Sequence, residues 1–161
     1  MKITNAIIPG SFDPVTVGHL HLFEKASEMF ESVTVLLCHN FDKKTLFSFE
    51  ERLELLRASV SHLKNVSVDS HTGWLYEYLS DKKDSVLFKG VRNTVDFEYE
   101  KKMADFNFEH SGVSTVFVLS EEKFAEISST RVRKLLSEGG DWKKNIPQNA
   151  QKLLENFYKN I

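Results

Sequence analysis

Short apolar runs alternate along this chain with longer stretches of helical spacing. Ala6, Ile7 and Ile8 predict a first strand, closed by a turn over Pro9-Gly10-Ser11-Phe12-Asp13-Pro14. Over residues 18–30, Leu22, Phe23, Ala26, Met29 and Phe30 recur at spacings of one, three and four, which predicts an amphipathic helix. Residues 33–38 are almost unbroken apolar sequence, as expected of a strand covered on both faces. Ser48-Phe49-Glu50-Glu51 has the form of a capping box, with Ser48 as N-cap, and opens a helix to about residue 63 through Leu53, Leu56 and Val60. Residues 66–68 predict a brief strand, 74–79 a short helix, 85–88 a strand, 95 to about 108 a helix, and 114–119 the fifth strand. Ser129 or Thr130 is the expected cap of a helix ending at Ser137-Glu138-Gly139-Gly140. Pro147 starts a last helix, with Ala150, Leu153, Leu154 and Phe157 on one face.

Strands alternating with helices predict an α/β fold: a doubly wound parallel five-stranded sheet, Rossmann-like, with C-terminal helices. The 161 residues suit one domain over residues 1–161, with no repeat or linker dividing them. Thirteen Phe against seven Gly supply an aromatic core. The balance of 21 Lys+Arg against 23 Asp+Glu, net -2, excludes a bulk electrostatic hold on nucleic acid. Any anionic partner must therefore be met by positive charge gathered in one place. The lone Cys38 allows no internal disulfide, and no apolar stretch approaches the ~20 residues of a membrane span. A cytoplasmic protein without a membrane partner is the expectation.

Open parallel sheets bind ligands outside the carboxyl ends of their strands. After the first strand, Gly10 frees the backbone for close approach, Ser11 offers a hydroxyl, and Gly18-His19 lies at a helix start, where free N–H groups favour an anion. The sequence matches neither the dinucleotide nor the P-loop fingerprint, and a tight turn with a solvated His explains it equally well. Lys43 and Lys44 follow the second strand, and Lys89-Gly90-Val91-Arg92 the fourth. Asp96, Glu98 and Glu100 then offer carboxylates to ribose hydroxyls or an amine, against the ordinary reading of acids at a helix start. After the fifth strand, Ser128, Ser129 and Thr130 suit a polyphosphate, with Arg131 and Arg133 adding charge, although simple capping needs only one hydroxyl. Cys38 reads as a small hydrophobe, and His19 with His21 lacks the third ligand of a zinc site. His39, His62, His71 and His110 show no partners in the sequence.

The pair T-V-G-H at Thr16 to His19 and I-S-S-T at Ile127 to Thr130 resembles the nucleotidyltransferase superfamily signature, whose closing arginine falls on Arg133. P-G-S-F-D-P-V-T-V-G-H, F-S-F-E-E-R ending at Arg52, K-G-V-R and D-F-E-Y-E together resemble phosphopantetheine adenylyltransferases of the bacterial type, over nearly the whole chain.

That resemblance implies adenylyl transfer from ATP to 4′-phosphopantetheine by in-line attack, with Mg2+ on the triphosphate and a homohexameric assembly. It implies a catalytic set of His19, Lys43 and Ser11. ATP would meet Ser11, Phe12, His19, Gly90, Val91, Arg92, Glu100, Phe124, Ala125, Glu126, Ile127, Ser128, Ser129 and Thr130. The acceptor would meet Ser11, Lys43, Leu75 and Lys89, with Trp74 as an apolar wall. Lys89 stands where many members carry Arg, which keeps the charge and loses the bidentate fork. The alternatives are another nucleotidyltransferase, such as one acting on nicotinamide mononucleotide, and a non-catalytic nucleotide-binding module.

Overall fold

Five parallel strands in the order β3-β2-β1-β4-β5 form the sheet of the computed structural model, which describes residues 3–39 and 43–161. The strands are β1 (Asn5–Gly10), β2 (Ser32–His39), β3 (Val66–Thr72), β4 (Ser85–Val91) and β5 (Thr115–Leu119). Helices α1 (Val17–Met29), α2 (Phe49–Val60), α3 (Leu75–Leu79) and α4 (Thr94–Ser111) link them, and α5 (Ser129–Glu138) and α6 (Gln148–Lys159) complete the chain. This is the doubly wound α/β architecture expected from the alternation of runs. The apolar run of β2 is buried as predicted, with Val33, Val35, Leu36 and Leu37 at most 1% exposed. Ser48 caps α2 with the reciprocal bonds of a capping box: its Oγ accepts from Glu51 N (3.2 Å) and its N–H donates to Glu51 Oε2 (2.8 Å). No helix among the described residues is long and apolar enough to cross a membrane.

Chain order reverses between β1 and β4, and the two strands part early. Their pairing stops at Ile7↔Leu87, whereas β1 continues against β2 as far as Gly10↔Leu37. Pro9-Gly10 is thus the end of a strand rather than part of the turn. Pro9 has no N–H to give, and it lies beyond the last β1–β4 pair, where no ladder bond is lost. The crevice opened by that divergence is the binding position of such folds.

Other boundaries also differ from the sequence reading. β3 runs on to Thr72 because pairing with β2 (Cys38↔His71, His39↔Thr72) carries polar residues that have no apolar pattern of their own. β4 includes Lys89-Gly90-Val91, paired with Phe117, Val118 and Leu119, so K-G-V-R is the tip of the strand and not a loop after it. The cap of α5 is Ser128, whose Oγ accepts from Arg131 N (3.1 Å), and neither Ser129 nor Thr130. Trp74 is the N-cap of α3, 60% exposed and stacked on Tyr76 at 6.1 Å, so it forms no wall of the cavity.

Candidate active site

T-x-G-H is a helix start that also sets the chemistry of its histidine. Thr16 caps α1: its Oγ1 accepts from His19 N (3.3 Å), while Thr16 N–H donates back to His19 Nδ1 (3.0 Å). The imidazole occupies the place a Glu or Gln takes in a capping box. A ring nitrogen that accepts a backbone N–H carries no proton, so in neutral His19 the proton sits on Nε2 and makes it a donor. Phe12 packs edge-on against the ring at 5.1 Å and against Phe23 at 5.7 Å. Gly10 leaves the space Phe12 needs, since a Cβ there would lie 2.8 Å from Phe12 Cζ. Burial pulls the His19 pKa down to about 4, helped by the positive charges of Arg92 and Lys89.

An NMR titration should therefore show His19 with a midpoint near 4; a midpoint near 6.5 would contradict this environment. Between pH 6.5 and 4 the unfolded chain binds a proton that folded His19 refuses. Folding stability should fall as pH drops through that window.

His19 faces a cavity of about 620 Å³ at the carboxyl end of the sheet. Ser11, Phe12, Lys43, Leu75, Lys89, Gly90, Arg92, Glu100, Phe124, Ile127, Ser128 and Ser129 also line it, so the structure brings together candidates from all four strand ends. Val91, Ala125, Glu126 and Thr130 do not line it. Val91 is buried, 3% exposed. The inner wall adds polar groups that no sequence pattern announced. Asn107 is 4% exposed, and the buried Thr115 hydroxyl has no hydrogen-bond partner among the described residues. His21 also lines the cavity, 4.6 Å from the Phe124 ring and 2.8 Å from Glu121 Oε1.

Carboxylates already face two of the strand-end cations: Lys89 Nζ lies 3.1 Å from Glu100 Oε2, and Arg92 Nε lies 3.6 Å from Asp96 Oδ2. Asp96 Oδ2 also accepts from Arg92 N, and Asn93 caps the helix through Asp96 N. Arg131 is spent on Glu126 (3.2 Å). Arg133 turns to the strand-one turn, where its Nη1 donates to Asp13 O (2.7 Å) and lies 3.7 Å from Asp13 Oδ2. Of the three hydroxyls, Ser129 Oγ donates to Pro14 O (2.8 Å) and Thr130 Oγ1 accepts from Arg133 Nη2 (3.2 Å). The first ties α5 to that turn, and the second lies within α5. Burial raises the pKa of the Cys38 thiol, in keeping with a small hydrophobe. The remaining imidazoles have partners after all. His62 meets Glu24, His71 meets the Trp74 carbonyl and Glu77, His110 meets the Phe106 carbonyl, and His39 meets Arg52.

A family model described as cytidylyltransferase-like matches residues 7–135, which span the whole cavity floor. A phosphopantetheine adenylyltransferase of Corynebacterium efficiens is 43% identical over 89% of this chain and 91% of its own. One from Deinococcus radiodurans is 39% identical over 98% of this chain and 95% of its own. The chain belongs to the phosphopantetheine adenylyltransferase family. The fold is shared more widely within the nucleotidyltransferases. A Plasmodium falciparum nicotinic acid mononucleotide adenylyltransferase complexed with APC superposes with a TM-score of 0.68 at 17% identity, covering 97% of each chain. In this member of the phosphopantetheine adenylyltransferase family, the strand crevice, the capped His19 and the lysine–arginine edge form one wall-to-wall cavity.

Proposed function

We propose that the protein transfers the adenylyl group of ATP to 4′-phosphopantetheine, forming dephospho-coenzyme A and pyrophosphate. The observation that carries this reading is a single cavity joining a neutral imidazole donor to the cations Lys43, Lys89 and Arg92. An oxygen of the acceptor's phosphate attacks the α-phosphorus of ATP. A new P–O bond forms as the bond to the α–β bridging oxygen breaks, and pyrophosphate departs with that electron pair. Little covalent chemistry is left for the protein, which works by positioning and by stabilising charge.

Nε2–H of His19 donates to a non-bridging oxygen of the α-phosphate as charge builds there. Being neutral, it gives a hydrogen bond without competing for the phosphate as a full cation. The Ser11 hydroxyl and Lys43 meet both the α-phosphate and the attacking phosphate. Arg92 and the N-terminus of α5, with Ser128 and Ser129, hold the triphosphate. Lys89 holds the acceptor phosphate and must give up part of its contact with Glu100 to do so. Leu75 flanks the pantetheine arm.

Among the described residues no three His, Cys, Asp or Glu side chains gather to hold a metal ion, and the cavity acids Glu100 and Asp96 already face cations. That donor set suits magnesium carried in on the triphosphate as part of the substrate, held by phosphate oxygens and water. A homohexamer in the cytoplasm completes the reading. Further copies would cover apolar side chains that one chain leaves outside, including Val95 (77% exposed), Phe108 and Leu119 (79%).

The test is pyrophosphate release from MgATP by purified protein. Release should depend on added 4′-phosphopantetheine, and ATP binding without release under those conditions would favour a non-catalytic module instead.

A further inference from the structure

We propose that Arg52 is a positioning residue for adenylyl transfer: its buried guanidinium fixes the backbone at Ser11, where the two reacting phosphates meet. F-S-F-E-E-R ends on an arginine for which the chemistry above has no use. Arg52 is nonetheless 1% exposed and heads the fully buried side chains by size. A guanidinium is costly to bury unless its donors are satisfied, so its partners show what it is there to hold. Nη1 donates to Ser11 O at 2.8 Å, Nε to Ser48 O at 3.4 Å, and Nη2 lies 3.3 Å from His39 Nδ1. The shortest contact crosses 41 positions of sequence to a residue that lines the cavity.

Around this contact the turn is braced on two more sides. Asp13 accepts from Leu46 N (2.9 Å) and Phe47 N (3.0 Å), which fixes the stretch that Lys43 leads into. From α5, Arg133 donates to Asp13 O. Arg52 alone among these groups grips Ser11 itself. Only a planar fork reaches a carbonyl on one side and a second carbonyl with an imidazole on the others; an ammonium acts from one point.

The proposal rests on the reading that Ser11 contacts the reacting phosphates, and it separates positioning from binding. R52K, which keeps the charge and most of the volume, should bind ATP within about threefold of the native protein and lose about tenfold in kcat. R52M should lose on the order of 10²-fold in kcat, the scale of a misplaced reacting group. Either folded variant with native kcat would overturn the role. So would a loss of ATP affinity matching the loss of turnover, which marks a general structural defect. Should R52M fail to fold, R52K decides by the same split. Hydrogen exchange of the peptide covering residues 10–16, read without substrate, should quicken in R52K, and unchanged exchange would refute the strut by itself. A native protein that makes no dephospho-coenzyme A would instead refute the functional reading, independently of that exchange.

Discussion

His19→Ala is expected to lower kcat by about 10²–10³-fold while ATP affinity stays within a few fold. The asymmetry follows from where the imidazole points its proton. Its Nδ1 is taken by Thr16 N–H, so the one donor it offers is Nε2–H, which on the proposed reading gives the triphosphate a single neutral hydrogen bond in the ground state. On the proposed reading, ATP affinity in the ground state rests mainly on Arg92 and the α5 N-terminus. The bond gains strength only as charge builds on the α-phosphate, so its loss is felt in rate more than in binding. His19→Gln, which also offers an N–H but cannot reproduce the ring's packing on Phe12, should recover part of the rate. Equal losses in affinity and turnover for His19→Ala, measured by calorimetry and steady-state kinetics, would contradict this role.

Asp13→Ala is expected to destabilise the fold by about 2–5 kcal/mol, because it leaves two backbone N–H donors without their acceptor at roughly 1–3 kcal/mol each. Asp13 is 5% exposed and holds two backbone N–H groups of the loop before α2, one of them on fully buried Phe47. Its removal strands both donors and leaves Arg133 without the carboxylate 3.7 Å away. The urea midpoint should drop with little change in the slope of the transition. Asp13→Asn, which keeps an acceptor for one of the two N–H groups, should lose less. A loss below about 1 kcal/mol for Asp13→Ala would mean that the turn is held from elsewhere.

The sheet and the placing of the first motif were legible because they rest on local signals. The run from Val33 to Cys38, the Ser48–Glu51 box and the Gly139 stop each act within a few residues. Strand-end cations were legible for the same reason: once the parallel order is known, Lys43, Lys89 and Arg92 must share an edge. What escaped was pairing at long range. Arg133 reads as one more cation for phosphate until the fold places it on Asp13, 120 positions away. Glu100 reads as a carboxylate for a ribose hydroxyl or an amine until it is seen opposite Lys89. Arg52 gave no sign in sequence of being buried, since its position on α2 resembles that of any solvated helical arginine. Asn107 was hidden because α4 has no sharp apolar face to mark its inner side, whereas on α6 the stripe of Ala150 and Leu154 does so at once.

The balance of charge makes the same point about the cavity. Lys89 in place of arginine, with Glu100 at 3.1 Å, leaves a point charge already partly committed. On the proposed reading, the acceptor phosphate competes for it beside the wall formed by Leu75 and Asn107.

The most direct measurement is a side-by-side acceptor assay with MgATP, following pyrophosphate and identifying the adenylylated product by mass. With 4′-phosphopantetheine the account predicts stoichiometric dephospho-coenzyme A and pyrophosphate, and with nicotinamide mononucleotide neither. Pyrophosphate release with nicotinamide mononucleotide but not with 4′-phosphopantetheine would contradict it.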